Sequence, residues 1–217
     1  MLTIVALTLS APLWAGMSDL SPGLLAYLAD KWGTKGQQRV LDMRQMLLQQ
    51  APQTQLTANN LKRERNWLDA NNSFWNRTPY FSDKEHWGVD DYWATPIETL
   101  ASDGADCEDY SIGKYFTLKD LGVPVQKLRI TYVRALKWNE SHMVLAYYPE
   151  PNAEPYILDN LSGEILPASQ RPDLEPIYSF NDEDLWVENG GSSKSGKSSQ
   201  IRLWRDLLEK MDKEHKR

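Results

Sequence analysis

The stretch Ser102-Asp103-Gly104-Ala105-Asp106-Cys107-Glu108-Asp109-Tyr110 holds the only cysteine in 217 residues. From it, Cys107, Tyr110, Ser111, Lys114, Tyr115 and Leu118 recur at spacings of three and four, the period of one helix face. Gly122 and Pro124 stop the pattern. The spacing predicts a helix from about Cys107 to Leu121 with the thiol at its N-terminus. There the macrodipole and free amides favour a thiolate and offer donors to an oxyanion. Gly113 sits inside this helix, at a cost of ~1 kcal/mol against alanine unless another backbone packs closely on it. The acids around Cys107 act the other way, because negative neighbours raise a thiol's pKa. A reactive Cys107 therefore needs a histidine base, the helix N-terminus, a bound cation, or all three. Without them it is a small buried residue behind a solvated acidic loop.

Downstream the pattern turns to strands. Val125 to Val133 alternates Leu128, Ile130 and Tyr132 with Lys127, Arg129 and Thr131. A polar loop with Trp138 follows, then an apolar run from His142 to Tyr148, the turn Pro149-Glu150-Pro151-Asn152, and a strand from Ala153 to Asp159. If Tyr148 and Ala153 close that turn, His142 lies directly opposite Asp159 on one sheet face, with Cβ atoms ~4.5–5.5 Å apart. A register slip of two keeps the shared face; a slip of one destroys it. The order Cys107, His142, Asp159 suits nucleophilic acyl transfer. Cys107 attacks a carbonyl carbon, His142 moves the proton, and Asp159 orients His142.

Upstream the chain is helical. Leu20, Leu24, Leu25 and Leu28 recur at helical spacing over Ser18 to Asp30, with Ser21 as N-cap and Pro22 in the first turn. Gly33 to Gly36 breaks that pattern. Gln37 to Gln50 resumes it, and Thr57 to Trp75 forms a further helix. Asn76 to Asp91 reads as a loop. Its His86 is either a metal ligand or second base, or a surface histidine. Trp87, Trp93 and Trp138 are candidate contacts for a partner or substrate groove, with core packing the alternative for the first two.

Met1 to Gly16 has an apolar run and a small-residue exit like a secretory signal, without a basic start. Residues 17–189 form the expected domain and 190–200, rich in Gly and Ser, a flexible linker. Residues 201–217 form an amphipathic helix that either docks on the domain or binds a partner, and its His215 is not catalytic. The acids after Asp159, among them Asp182, Glu183 and Asp184, read as a solvated surface. A net charge of −6 argues against nucleic acid or an anionic membrane face as partner. A single cysteine excludes an internal disulfide. The fold class is α+β: N-terminal helices and a nucleophile-bearing helix packed on an antiparallel sheet, as in papain and the transglutaminases.

Gly104-Ala105-Asp106-Cys107-Glu108-Asp109-Tyr110, with Ser141-His142-Met143-Val144-Leu145 and Leu158-Asp159-Asn160, resembles the bacterial transglutaminase-like cysteine proteases, in particular their periplasmic members. The resemblance runs from about Trp67 to Val187. It implies a calcium-requiring periplasmic endoprotease that cuts a large surface adhesin near its N-terminus at a paired-alanine site, which releases biofilm cells. It also implies inhibition by the periplasmic domain of an inner-membrane cyclic di-GMP receptor. Acids flanking the nucleophile bind calcium in that family; here these are Asp106 and Glu108, with Asp103 and Asp109 as further candidates by proximity. The chain departs from an EF-hand loop, since no D-x-[DN]-x-[DN]-G run is present. Two other readings stand beside this one: a transglutaminase or amidase using the same triad, and a non-catalytic binding module with a structural cysteine.

Overall fold

The computed structural model describes residues 16–50, 60–188 and 192–217. The candidate export segment therefore lies outside the described residues, apart from Gly16. Helix α1 spans Pro22–Gln50 and leaves helical geometry at Gly33 alone (φ 72°, ψ 174°). Gly36 is helical again, and a Cβ there would stand 2.6 Å from the Ala101 carbonyl oxygen, so the missing side chain admits that backbone. Ser21 Oγ accepts from the Leu24 amide at 3.0 Å, the cap expected from sequence. Helix α2 spans Asn60–Trp75 and buries Trp67, Leu68, Phe74 and Trp75. Residues 57–59, where the sequence pattern begins, lie outside the described residues. Two short helices follow, α3 (Asp83–His86) and α4 (Pro96–Ser102), each opened by a capping box, Ser82 with Glu85 and Thr95 with Glu98.

Helix α5 (Cys107–Asp120) is the axis of the molecule and is buried on nearly every side from Asp109 to Leu118. The helix packs between α2 and the sheet, and its buried polar side chains are hydrogen-bonded, Asp109 by the Ala94 amide, Ser111 to Cys107 O and Thr117 to Gly113 O. Gly113 is explained by a ring rather than a backbone. A Cβ at that position would lie 2.6 Å from the Trp75 indole, so α2 and α5 approach only because the side chain is absent.

The sheet holds strands β1 (Leu128–Ala135), β2 (Glu140–Tyr147), β3 (Tyr156–Leu158), β4 (Leu166–Pro167), β5 (Leu174–Phe180), β6 (Leu185–Glu188) and β7 (Ser192–Gly196). Their order is β4-β3-β2-β1-β5-β6-β7, with every neighbouring pair antiparallel. One face lies against α5. The β2–β3 register differs from the one drawn from the turn signal. Leu145 pairs with Leu158 and Tyr147 with Tyr156, two residues away from the Tyr148–Ala153 pairing. The Pro149 to Asn152 turn does not close the ladder, because two prolines (149 and 151) remove amides and Tyr148 N–H donates to Lys127 O instead.

The Gly/Ser-rich stretch is not a free linker where the structure describes it. Ser192–Gly196 pairs with β6 as the edge strand β7, and the ladder absorbs a composition that in isolation favours coil. Lys194 and Lys197 also bind Asp184 at 2.7 and 2.9 Å. Lys119 pairs with Asp182, so two of the acids first read as solvated are ion-paired.

Helix α6 (Arg202–His215) docks on the core through Trp204, Leu207 and Met211, none more than 2% exposed. Trp204 stacks on Phe116 with ring centroids 5.6 Å apart and meets Phe180 edge-on at 5.2 Å. Each such side chain contributes ~1.5–3 kcal/mol by burial. At the end of α6, the Thr95 hydroxyl donates to Glu214 Oε1 at 2.7 Å. Burial pushes the Glu214 carboxyl from 4.5 up to about 8; the Thr95 bond and the Lys210 and Arg217 charges oppose the shift, and Glu98 adds to it. The folded protein then holds a proton that the unfolded chain releases. Stability is fully present below about pH 4.5 and is lost as pH rises towards 8, by on the order of 5 kcal/mol. Urea midpoints measured from pH 5 to 9 should fall, and Glu214→Gln should flatten that fall.

Candidate active site

The loop that delivers the thiol is held on both sides. Phe81 N–H donates to Ala105 O at 3.0 Å and Ala105 N–H to Pro79 O at 3.1 Å. Gly104 lies against the His86 ring, where a Cβ would come within 2.5 Å of Cε1. His86 Nε2 is 2.8 Å from Ser102 Oγ, and its ring stacks on Phe81 at 5.5 Å. His86 thus serves as packing beneath the loop and joins neither acidic grouping described below.

Cys107 is the first residue of α5, and its N-cap, Asp106, makes no side-chain cap bond. The thiol donates to Glu108 Oε2 at 2.9 Å, and the Met143 amide faces the sulfur. Burial, then the charge and hydrogen bond of Glu108, then Asp106 push the thiol well above its usual range; the Met143 amide acts against them.

Met143 follows His142 on β2, which brings the histidine's strand to the sulfur. His142 Nε2 lies 2.8 Å from Asp159 Oδ1, with both residues buried. The two-residue register shift kept both side chains on one face, so the pair forms as a diagonal rather than a direct opposition. Asp159 Oδ1 also accepts from the Leu161 amide at 3.0 Å, and Oδ2 from Arg171 Nη2 at 2.7 Å. Burial would raise this carboxyl, but His142, the Leu161 amide and Arg171 together bring it down to about 2. An ionised Asp159 makes Nε2 the protonated ring nitrogen and leaves Nδ1 as the base. Cys107 and His142 line one cleft of about 190 Å³ with Tyr80, Ala135, Trp138, Glu140, Ser141, Asn160 and Leu161.

Acids gather behind the thiol. Oxygens of Asp83, Asp106 and Asp109 lie within 4.8 Å of one another, as do those of Asp83, Asp91 and Glu108. Burial and mutual repulsion raise Asp106 to about 10, Asp83 to about 6 and Asp109 well above its usual range. Backbone amides brace two of them: Tyr92 N–H donates to Asp83 at 2.5 Å and Ala94 N–H to Asp109 at 2.8 Å. Asp106 Oδ1 is buried without a protein partner. An all-oxygen cluster of crowded carboxyls with such an atom, each ready to lose its proton to a positive charge, fits a hard divalent cation such as calcium. Asp106, Glu108 and Asp109 are brought together; Asp103 is not. It caps α4 with φ 63° and pairs with Arg39 at 3.4 Å, half exposed. Asp83 and Asp91 escaped the sequence reading as ligands, although both fall in the stretch Asn76 to Asp91 read there as a loop. Trp138 is exposed at the cleft, whereas Trp93 is buried against Phe180.

Residues 43–189 match the family described as bacterial transglutaminase-like cysteine proteinase. The chain belongs to that family. No curated protein matches it. Among solved structures, Legionella pneumophila LapG in an EGTA-treated form is 37% identical with a TM-score of 0.74, covering 87% of this chain and 96% of that one. A calcium-bound form of the same protein is 37% identical with a TM-score of 0.72, over 88% and 99% of the two chains. The α+β, transglutaminase-like fold and the cysteine protease class follow for this chain. Among the described residues, no helix is long and apolar enough to cross a membrane.

Proposed function

We propose that this protease is a calcium-dependent periplasmic endopeptidase acting through Cys107, His142 and Asp159. Its substrate in this reading is a large surface adhesin, cut near its N-terminus at a paired-alanine site, with release of biofilm cells. Its inhibitor is the periplasmic domain of an inner-membrane cyclic di-GMP receptor. The observation that carries the catalytic part is the 2.8 Å His142–Asp159 bond at the wall of the cleft that also holds Cys107. Likeness to a calcium-bound LapG and the acidic cluster support the cation. The adhesin, the receptor and the compartment rest on the family resemblance.

His142 Nδ1 takes the thiol proton as Cys107 attacks the scissile carbonyl carbon, then gives it to the leaving amine. Amides at the start of α5 stabilise the oxyanion. His142 next draws a proton from water, which hydrolyses the thioester and frees the thiol. A calcium ion held by Asp83, Asp91, Asp106, Glu108 and Asp109 would supply the positive charge that offsets these acids. With its oxygens so engaged, Glu108 would no longer accept the thiol hydrogen.

The test is incubation of the chain with an adhesin fragment carrying paired alanines. Single-site cleavage is expected, strongly reduced by excess EGTA and restored by calcium. An unchanged rate in chelator removes the cation from the mechanism. Amine incorporation in place of cleavage would reassign the chemistry to transfer.

A further inference from the structure

Arg171 stands between Pro167 and Pro172, in a stretch that carries none of the catalytic motifs, yet it is only 7% exposed. It ends the single helical turn Ala168–Gln170, and its amide donates to Ala168 O at 2.9 Å. Its guanidinium is gripped on one side by Asp173, through Nε to Oδ1 at 3.0 Å and Nη2 to Oδ2 at 2.9 Å. On the other side Nη2 reaches Asp159 Oδ2 at 2.7 Å. Asp159 thus has each oxygen fixed by a different element: Oδ1 by His142 of β2 and the Leu161 amide, Oδ2 by Arg171.

We propose that Arg171 is a positioning residue of the triad: it pins Asp159 Oδ2 and thereby holds Oδ1 towards His142 Nε2. A buried carboxylate gripped at one oxygen can still turn about its last side-chain bond, which is broad and two-fold. Gripped at both, it cannot. Arg171 and Asp173 are opposite charges in contact, so as a pair they add little net field at the imidazole and act through geometry. The planar fork is needed for this, since one guanidinium nitrogen bridges two carboxylates while a second holds the plane; a lysine offers only a point charge. The role rests on the triad proposed above.

The experiment measures kcat, KM and thermal unfolding for Arg171→Met, Arg171→Lys, Asp159→Asn and the Asp159→Asn/Arg171→Met double variant. Arg171→Met should lower kcat about 10–100-fold, the scale seen when a ligand-orienting partner is lost, with KM within about twofold. Arg171→Lys should fall between it and wild type. In the Asp159→Asn background, Arg171→Met should add no more than about twofold, since both changes act through one carboxylate. Full kcat in Arg171→Met, or losses that multiply in the double variant, would overturn the role. If Arg171→Met does not fold, Arg171→Lys decides, and an unchanged kcat there overturns it equally. If Asp159→Asn keeps wild-type kcat, the triad reading and this one fail together. An inactive Asp159→Asn beside a fully active Arg171→Met removes the Arg171 role alone.

Discussion

Cys107→Ala should reduce cleavage to background, a fall of about 10⁶ in kcat on the scale of losing the nucleophile in other covalent proteases. The chemistry leaves no substitute. Among the described residues the other histidines, His86 and His215, are engaged elsewhere, with Ser102 and with Met211 O. Ser111, one turn along α5, donates its hydroxyl to Cys107 O. The fold should survive, because alanine is a good helix former at this position. The lost thiol contact is one hydrogen bond to Glu108. Cleavage of the adhesin fragment followed on gels, with melting curves recorded in parallel, checks both halves. Cleavage at even a thousandth of the wild-type rate would place the nucleophile elsewhere.

Asp159→Asn should lower kcat by about 10⁴ with little change in KM, the effect of presenting the wrong tautomer of a catalytic histidine. Asparagine can turn its amide to donate to Nε2. The ring hydrogen then moves to Nδ1, which can no longer accept the thiol proton. A factor of about 10⁴ corresponds to about 5.4 kcal/mol of barrier. The stability cost should be smaller, about 2 kcal/mol, because Arg171 keeps Asp173 as a partner where an orphaned buried charge would cost 3–5. Turnover therefore falls far more than folding does. Acid titration gives a second readout. The wild-type carboxyl is held at about 2, so its contribution is present above about pH 3.9 and is lost as pH falls towards 2. The variant should lack that part of the acid transition. Equal losses of kcat and folding free energy would reduce Asp159 to a structural residue.

Much of the fold was legible locally. The α5 start at Cys107, the Ser21 cap, the β1 alternation and the apolar face of α6 each follow from residues a few positions apart. The strands β5, β6 and β7 were not. Leu174–Phe180 contains Pro176 and leaves Ile177 exposed, so its period is blurred. Ser192–Gly196 carries a coil composition that only its partner strand converts. The candidate site divided the same way. Cys107, His142 and Asp159 carry residue types and an order that chemistry recognises, whereas Arg171 and Asp83 carry none.

The acidic stretch around Cys107 by itself determined a thiol at a helix N-terminus, crowded by charges that something must offset. It could not say what the acids do, because repulsion among Asp83, Asp91, Asp106, Glu108 and Asp109 depends on distances across loops. Only the tertiary structure brought the Asp83–Asp91 loop against α5, moved Asp103 away to Arg39, and set the β2–β3 register. Alternation within each strand is a local property, so the face that His142 and Asp159 each take on its own strand was legible in advance, although the register that made the two faces one was not. Which oxygen meets which nitrogen was not, because that depends on how strands, a proline-flanked turn and Arg171 pack together.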